Sequence, residues 1–249
     1  MLPDSEFGAA LGLLRDGLGL NELHISGGEP TLHSSLPDLI AIARAEGYSV
    51  RMTSNGERGS AIIPACAAAG LEKVNFSIFG TSPEELADVQ NEKYRDVGRA
   101  QRKIDALNAA ISTAVANGVG VAANIVMTDE THIERVVRLI EEFDSQLSIR
   151  VLPDLDRGLD SYYAIYQLFT DIGAVPVKAF VDAGSSNARV SYQLPNGRTI
   201  FYKQIRPSRL NATCDSCQFN NPQDCREGFY GVRLYRDDVR RYLGSRPVG

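Results

Sequence analysis

Two kinds of apolar pattern alternate along the chain. Phe7, Leu11, Leu14 and Leu18 share one face of a helix predicted for Asp4 to Leu18, with Gly17 and Gly19 near its end. Glu22 to Ile25 read as a buried strand. Ser34-Ser35 followed by Leu36, Leu39, Ile40 and Ala43 read as a capped helix that stops at Gly47. Ser49 to Thr53 and Lys73 to Ile78 are further strands, separated by a short helix over Ala61 to Ala69 that contains Cys66, a small apolar residue expected in the core. Thr81 to Gly98 read as a long polar connection of the kind that carries substrate contacts. Beyond it, Ile104, Leu107, Ile111, Ala114 and Val115 mark a helix, Val119 to Met127 a strand, and Ile133, Val136, Val137, Ile140 and Phe143 another helix. Leu147 to Leu152 are the next strand, and Ile165, Leu168, Phe169 and Ile172 stripe a last helix. Strands alternating with helices predict an α/β fold with a parallel sheet and right-handed crossovers.

The pattern then changes. Ala188 to Leu194 and Thr199 to Ile205 alternate around Pro195-Asn196-Gly197, a hairpin signal, and a second hairpin is predicted from Gly231 to Leu243 around Asp237-Asp238. The expected division is a barrel-like part over 1–174 and a small antiparallel appendage over 175–249.

Composition narrows the function. At 249 residues and 43% hydrophobic the chain can bury a sizeable core. Lys and Arg total 26 against 31 Asp and Glu, a net −5 with dispersed signs, so neither nucleic acid nor an anionic membrane is the expected partner and a small molecule or peptide is. No apolar run reaches the length of a membrane span and no signal-peptide pattern opens the chain, so the expected location is the cytoplasm.

The most informative stretch is Leu23-His24-Ile25-Ser26-Gly27-Gly28-Glu29-Pro30-Thr31-Leu32, an apolar strand running into two glycines, a carboxylate and a proline. Gly27 and Gly28 permit a sharp turn and close backbone approach to a ligand. Glu29 sits at a strand end, where α/β folds place ligand groups, and acceptors there suit a cation such as an ammonium. A tight turn with a capping carboxylate is the alternative. The segment resembles the GGEP motif of radical S-adenosylmethionine (radical SAM) enzymes, in which the second strand end holds the methionine amino group. The resemblance implies a partial, six-strand (β/α) barrel, here without its first strand. It implies S-adenosylmethionine and a 4Fe-4S cluster as cofactors, and an electron donor such as flavodoxin or ferredoxin. It also implies cleavage of the sulfonium to a 5′-deoxyadenosyl radical that takes a substrate hydrogen.

The cofactor-binding residues expected on that resemblance are Gly27, Gly28, Glu29 and Pro30, with Asn55, Ser77, Asn124 and Arg150 at later strand ends. Asn55 lies in a Ser-Asn-Gly, which an ordinary turn explains equally. Ser77 stands where the family places a ribose contact. Asn124 is an amide among apolar neighbours that needs a partner, and Arg150 is a strand charge that calls for a carboxylate or a plain salt bridge. Tyr162, Tyr163 and Tyr166 either line the barrel mouth or simply pack.

Cys214, Cys217 and Cys225 form C-x2-C-x7-C, metal-ligand rather than disulfide spacing in a cytosolic chain. Their place after the barrel resembles the auxiliary iron-sulfur regions of the branch containing the molybdenum-cofactor precursor synthase and the SPASM/twitch maturases. Zinc is the alternative. The departure from the family is that no CxxxCxxC occurs. The expectation is that both ends of the architecture are missing and that the chain as written does not perform the reaction. The alternatives are a degenerate barrel that binds a ligand or partner, and a zinc module on an α/β barrel.

Overall fold

A computed structural model describes residues 1–143, 145–181 and 187–205, together with strands Phe229–Tyr235, Asp238–Leu243 and Arg246–Val248. It divides into two compact units: Leu2–Val126 with Glu134–Ile149, and Met1 with Met127–Ile133 and Arg150–Gly249.

The first unit runs α1 (Ser5–Leu18), β1 (Glu22–Ile25), α2 (Leu36–Ala45), β2 (Ser49–Ser54), α3 (Gly59–Ala68), β3 (Leu71–Ile78), α4 (Pro83–Asp88), α5 (Val97–Ala116), β4 (Gly120–Met127), α6 (Ile133–Glu142) and the start of β5 (Leu147–Pro153). Asp4 caps α1 by accepting from Phe7 N at 2.9 Å, and Gly19 ends it at φ 66°. β1 pairs in parallel with β2, β2 with β3, and β3 with β4.

Register fixes which side chains share a face. Val50 and Met52 of β2, Val74 and Phe76 of β3, and Val121 and Ala123 of β4 stand on one side, all buried. Leu39 and Ile40 of α2, Ile63 and Cys66 of α3, and Ala110 and Ile111 of α5 are buried as well. A slip by one residue would turn the whole apolar set to water, and at about 1.5–3 kcal/mol per large side chain this face dictates the pairing. α3 begins at a glycine because α5 is close: a Cβ on Gly59 would stand 2.5 Å from Ala110 Cβ.

Two local expectations need correction. Ser35 occupies the N-cap position of α2, but its hydroxyl makes no capping hydrogen bond; Ser35 N instead donates to His33 Nδ1 at 3.2 Å. Thr81 to Gly98 is not a plain polar loop. It holds α4, a 3-10 turn at Glu92–Tyr94 and the first residues of α5. Ser82 and Glu85 form a capping box, and Leu86 and Ala87 bury against Ala100 and Ile104. Six residues are too few for helical periodicity to declare itself.

The second unit contains the remainder of β5, α7 (Leu159–Asp171), β6 (Val175–Val181), β7 (Asn187–Gln193) and β8 (Thr199–Ile205). The hairpin of β7 and β8 turns at Asn196-Gly197, with Gly197 at φ 85°, and β8 lies parallel to β5 through Arg150↔Phe201 and Val151↔Tyr202. β6 adds antiparallel to β7 and was not legible as a strand; Pro176 is tolerated because β6 is an edge, and the register shifts beside it. Within the first unit β1, β2, β3 and β4 neighbour one another in that order, all parallel, and within the second the hydrogen-bonded order is β5-β8-β7-β6, so the α/β fold is mostly parallel with an antiparallel edge. A separate antiparallel sheet comprises β9 (Phe229–Tyr235), β10 (Asp238–Leu243) and β11 (Arg246–Val248), of which β9 and β10 are the second predicted hairpin.

α7 is fastened by Ser161, whose hydroxyl donates to Met127 O at 2.6 Å and accepts from Asp154 N at 2.9 Å. Phe169 stacks on Tyr192 at 4.1 Å between centroids. Among the described residues Tyr162, Tyr163 and Tyr166 lie on the exposed side of α7.

Candidate functional site

The end of β1 is shaped by Gly27 and Gly28, at φ 100° and 53°, a region that L side chains rarely adopt. Both are exposed, and a Cβ on either would meet nothing within 4 Å. Glycine is therefore required by the backbone, and the space above the turn is open. Pro30 follows as the buried first residue of a 3-10 turn, Pro30–Leu32, with Glu29 as its N-cap.

Glu29 is half-buried and turned into the unit. Its Oε1 accepts from Thr31 N at 3.0 Å, Thr31 Oγ1 at 2.7 Å and Ser54 Oγ at 2.7 Å; its Oε2 accepts from Asn55 N at 2.6 Å. Ser54 Oγ in turn accepts from Gly56 N at 2.9 Å, and Thr31 Oγ1 from Arg58 N at 3.3 Å. The carboxylate thus ties the ends of β1 and β2 together. Oε2 keeps acceptor capacity for a further donor. The Asn55 side chain does not join in: its Oδ1 accepts from Glu57 N at 2.8 Å and closes the turn. Within Ser54-Asn55-Gly56, the residue whose side chain meets Glu29 is Ser54.

The sheet face opposite the apolar one is polar. It carries His24 of β1, Arg51 and Thr53 of β2, Lys73, Asn75 and Ser77 of β3, and Asn124 of β4. Ser77 and Asn124 are direct register partners. Among the described residues Asn124 Oδ1 is buried with no hydrogen-bond partner, a deficit of about 1–3 kcal/mol that a ligand N–H or O–H would relieve. His24 Nε2 and Thr53 Oγ1 are 2.7 Å apart, and Arg51 pairs with Glu22 at 3.0 Å. His24, Thr53 and Asn75 escape a reading based on strand ends. The signal for Thr53 and Asn75 is their alternation, two apart, with Arg51 and Ser77; His24 joins them only as the register partner of Arg51.

Arg150 belongs to the second unit, half-buried on β5 beside Phe201. Cys214, Cys217 and Cys225 lie outside the described residues. Among the described residues no cluster of three His, Cys, Asp or Glu side chains is arranged to hold a metal, and no helix is long and apolar enough to cross a membrane. Cys66 is fully buried, and burial pushes its thiol up to about 12.

The ends of neighbouring parallel strands in an α/β fold thus carry a hydrogen-bonded carboxylate beside an open glycine turn. The Radical SAM superfamily matches residues 2–143, more than half of the chain, and the chain belongs to that superfamily. It is 28% identical over 228 residues to a probable GTP 3′,8-cyclase of Metallosphaera sedula, covering 88% of this chain and 67% of that protein. It is 26% identical to the GTP 3′,8-cyclase of Chlorobaculum tepidum, over 81% of this chain and 61% of that one. A PqqA peptide cyclase of Xanthomonas oryzae is 38% identical over 91 residues, 34% of this chain and 24% of its own. The chain thus spans about two thirds or less of these relatives.

Proposed function

We propose that this chain is the greater part of a radical SAM enzyme that binds S-adenosylmethionine at the Glu29 turn and acts on a small molecule or peptide. The observation that carries the reading is the Glu29 carboxylate, held by Thr31, Ser54 and Asn55 beneath an open double-glycine turn in a chain of this superfamily. The residues present suit the cofactor. Glu29 Oε2 has room for an ammonium donor, Gly27 and Gly28 leave the approach clear, and the orphaned Asn124 Oδ1, beside Ser77, offers an acceptor to a nucleoside hydroxyl or amine. Pro30 sets the backbone that delivers Glu29, and Arg150 is assigned to a carboxylate of cofactor or substrate.

When bound and reduced through a 4Fe-4S cluster, S-adenosylmethionine supplies a carbon radical able to remove a substrate hydrogen. What this chain contributes is orientation of the ammonium and a polar floor of His24, Thr53, Asn75 and Ser77 for the reacting molecules. The sequence contains no CxxxCxxC, so these residues do not suit the reducing cluster, and the chain by itself is assigned binding without turnover. Cys214, Cys217 and Cys225 are assigned to an auxiliary iron-sulfur centre in a C-terminal part, 175–249, following a barrel part, 1–174. A flavodoxin- or ferredoxin-type donor and a cytoplasmic location go with that chemistry. The relatives act on GTP or on the PqqA peptide by name, which supports a small-molecule or peptide substrate here.

The test is anaerobic titration of S-adenosylmethionine into the chain. Saturable binding that weakens tenfold or more, about 1.4 kcal/mol, in Glu29→Ala and in Asn124→Leu is expected. Absence of binding, or variants that bind as the parent does, refutes the assignment. Reconstitution should load iron that is lost in Cys217→Ser; a colourless zinc protein would replace the auxiliary centre with a zinc site.

A further inference from the structure

We propose that the exposed face of α7 docks a basic amphipathic helix of a partner protein, with Leu159, Tyr162, Tyr163 and Tyr166 as its anchors. The four stand at i, i+3, i+4 and i+7, the spacing that lines side chains along one stripe of a helix. They are 68%, 42%, 66% and 71% exposed, whereas Ala164, Ile165, Leu168 and Phe169, on the opposite stripe, are all buried. α7 thus carries two apolar stripes, and the core covers one. A continuous apolar stripe facing water marks a binding surface in a way that scattered apolar residues do not. The residue types agree. Tyrosine joins a large apolar area to a hydroxyl donor and has little rotamer freedom to lose, which makes it a recurrent anchor of protein interfaces.

Charge selects the partner. α7 contains Asp160 and Asp171, both exposed, and no Lys or Arg. At about 100° per residue, an interval of eleven returns close to the starting direction, so the two carboxylates share one flank of the stripe. Gln167 stands on that flank as well and donates to Asp171 Oδ1 at 2.6 Å, which leaves the second oxygen for another donor. A partner helix with its own apolar stripe and arginines or lysines along the matching edge would lay the apolar side on the tyrosines. Its cations would then meet both carboxylates and the tyrosine ring faces.

A second copy of this chain fits less well. Two α7 helices packed antiparallel, stripe to stripe, bring like flanks together and set Asp160 and Asp171 of one copy beside those of the other, a like-charge juxtaposition that disfavours pairing. A tyrosine buries about 150–250 Å² when fully covered, so the partly exposed stripe supplies roughly half of the about 800 Å² that each side of a standard interface contributes. The rest of the contact falls on the flanks, where opposite charge is needed.

Fluorescence anisotropy with the full chain tests the proposal. The probe is a labelled helical peptide with leucines along one stripe and arginines beside them, and the control is the same peptide with glutamate for every arginine. The arginine peptide should bind saturably and at least tenfold more tightly than the control. Tyr163→Ser and Tyr166→Ser should each weaken it tenfold or more, and Tyr163→Phe, which keeps the ring, should recover most of the loss. Asp160→Asn with Asp171→Asn should weaken binding and flatten its salt dependence, while Glu92→Gln, at an exposed acid away from α7, should leave it unchanged. Because the substituted side chains are exposed, all variants should unfold with the parent in urea, which separates lost docking from lost folding. No saturable binding, equal binding of the glutamate peptide, serine variants that bind like the parent, or a Glu92→Gln effect as large as that of the α7 acids overturns the proposal. So does sedimentation showing a dimer that Tyr163→Ser dissociates, which would give the stripe to a second copy instead.

Discussion

Replacing Glu29 by alanine removes the acceptor of four donors at once: Thr31 N, Thr31 Oγ1, Ser54 Oγ and Asn55 N. Thr31 and Ser54 are 1% and 2% exposed, so their hydroxyls have no ready access to water. A buried donor left without its acceptor costs about 1–3 kcal/mol, and loss of an N-cap about 1 kcal/mol. Asn55 is exposed and recovers a water, and Glu29 is itself only half-buried, so solvent enters part of the vacated space. The expected destabilisation is therefore about 2–4 kcal/mol rather than the sum of four full hydrogen bonds. Urea unfolding of Glu29→Ala, Ser54→Ala and the double variant measures it, with a coupling of about 1–2 kcal/mol expected between the two positions. Amide exchange at Thr31 and Asn55 should quicken in Glu29→Ala while the α5 amides stay protected. A destabilisation under about 0.5 kcal/mol, strict additivity with Ser54→Ala and unchanged exchange would together refute the claim that this carboxylate joins β1 to β2.

Other expectations follow from the same structure. Gly59→Ala should lower stability by about 1–3 kcal/mol because its methyl would reach 2.5 Å from Ala110 Cβ, and a variant as stable as the parent in urea would show that α3 and α5 are less closely apposed. Glu85 accepts from Thr81 N at 2.9 Å and Ser82 N at 3.2 Å and pairs with Arg135 and Arg138; Glu85→Ala should cost about 2–4 kcal/mol in thermal or urea unfolding, discounted for partial exposure, and a neutral result removes it as the clasp between α4 and α6. Cys66, with its thiol raised to about 12, should stay unalkylated by iodoacetamide at pH 8 in the folded protein and react once unfolded, as peptide mapping would show. Lys203 binds its proton less tightly in the fold than its ordinary 10.5, because of burial and the neighbouring Arg150 and Arg189. Between its lowered value and 10.5 the unfolded chain holds more protons, so ligand-free stability should rise with pH across that window, and Lys203→Met should flatten the rise; superimposable pH–stability curves would contradict it.

Much of the fold was legible because strands and helices announce themselves through local periods. Glu22–Ile25, Ser49–Ser54 and Gly120–Met127 follow the expected apolar runs within a residue or two. Features too short or too exposed to show a period were lost. α4 is six residues long, and β6, with Val175, Val177 and Val181 exposed, has no buried face to reveal it.

The candidate site divides along the same line. The sequence alone determined that a strand would run into two glycines and a carboxylate, and it also carried the superfamily resemblance, because backbone freedom and charge are properties of the residues themselves. Tertiary structure decided that Ser54 rather than the Asn55 side chain meets Glu29, that Asn124 Oδ1 finds no partner among the described residues beside Ser77, and that His24 and Thr53 share their face. Those relations join residues tens of positions apart and depend on strand register, which the burial of the opposite, apolar face enforces across the whole sheet.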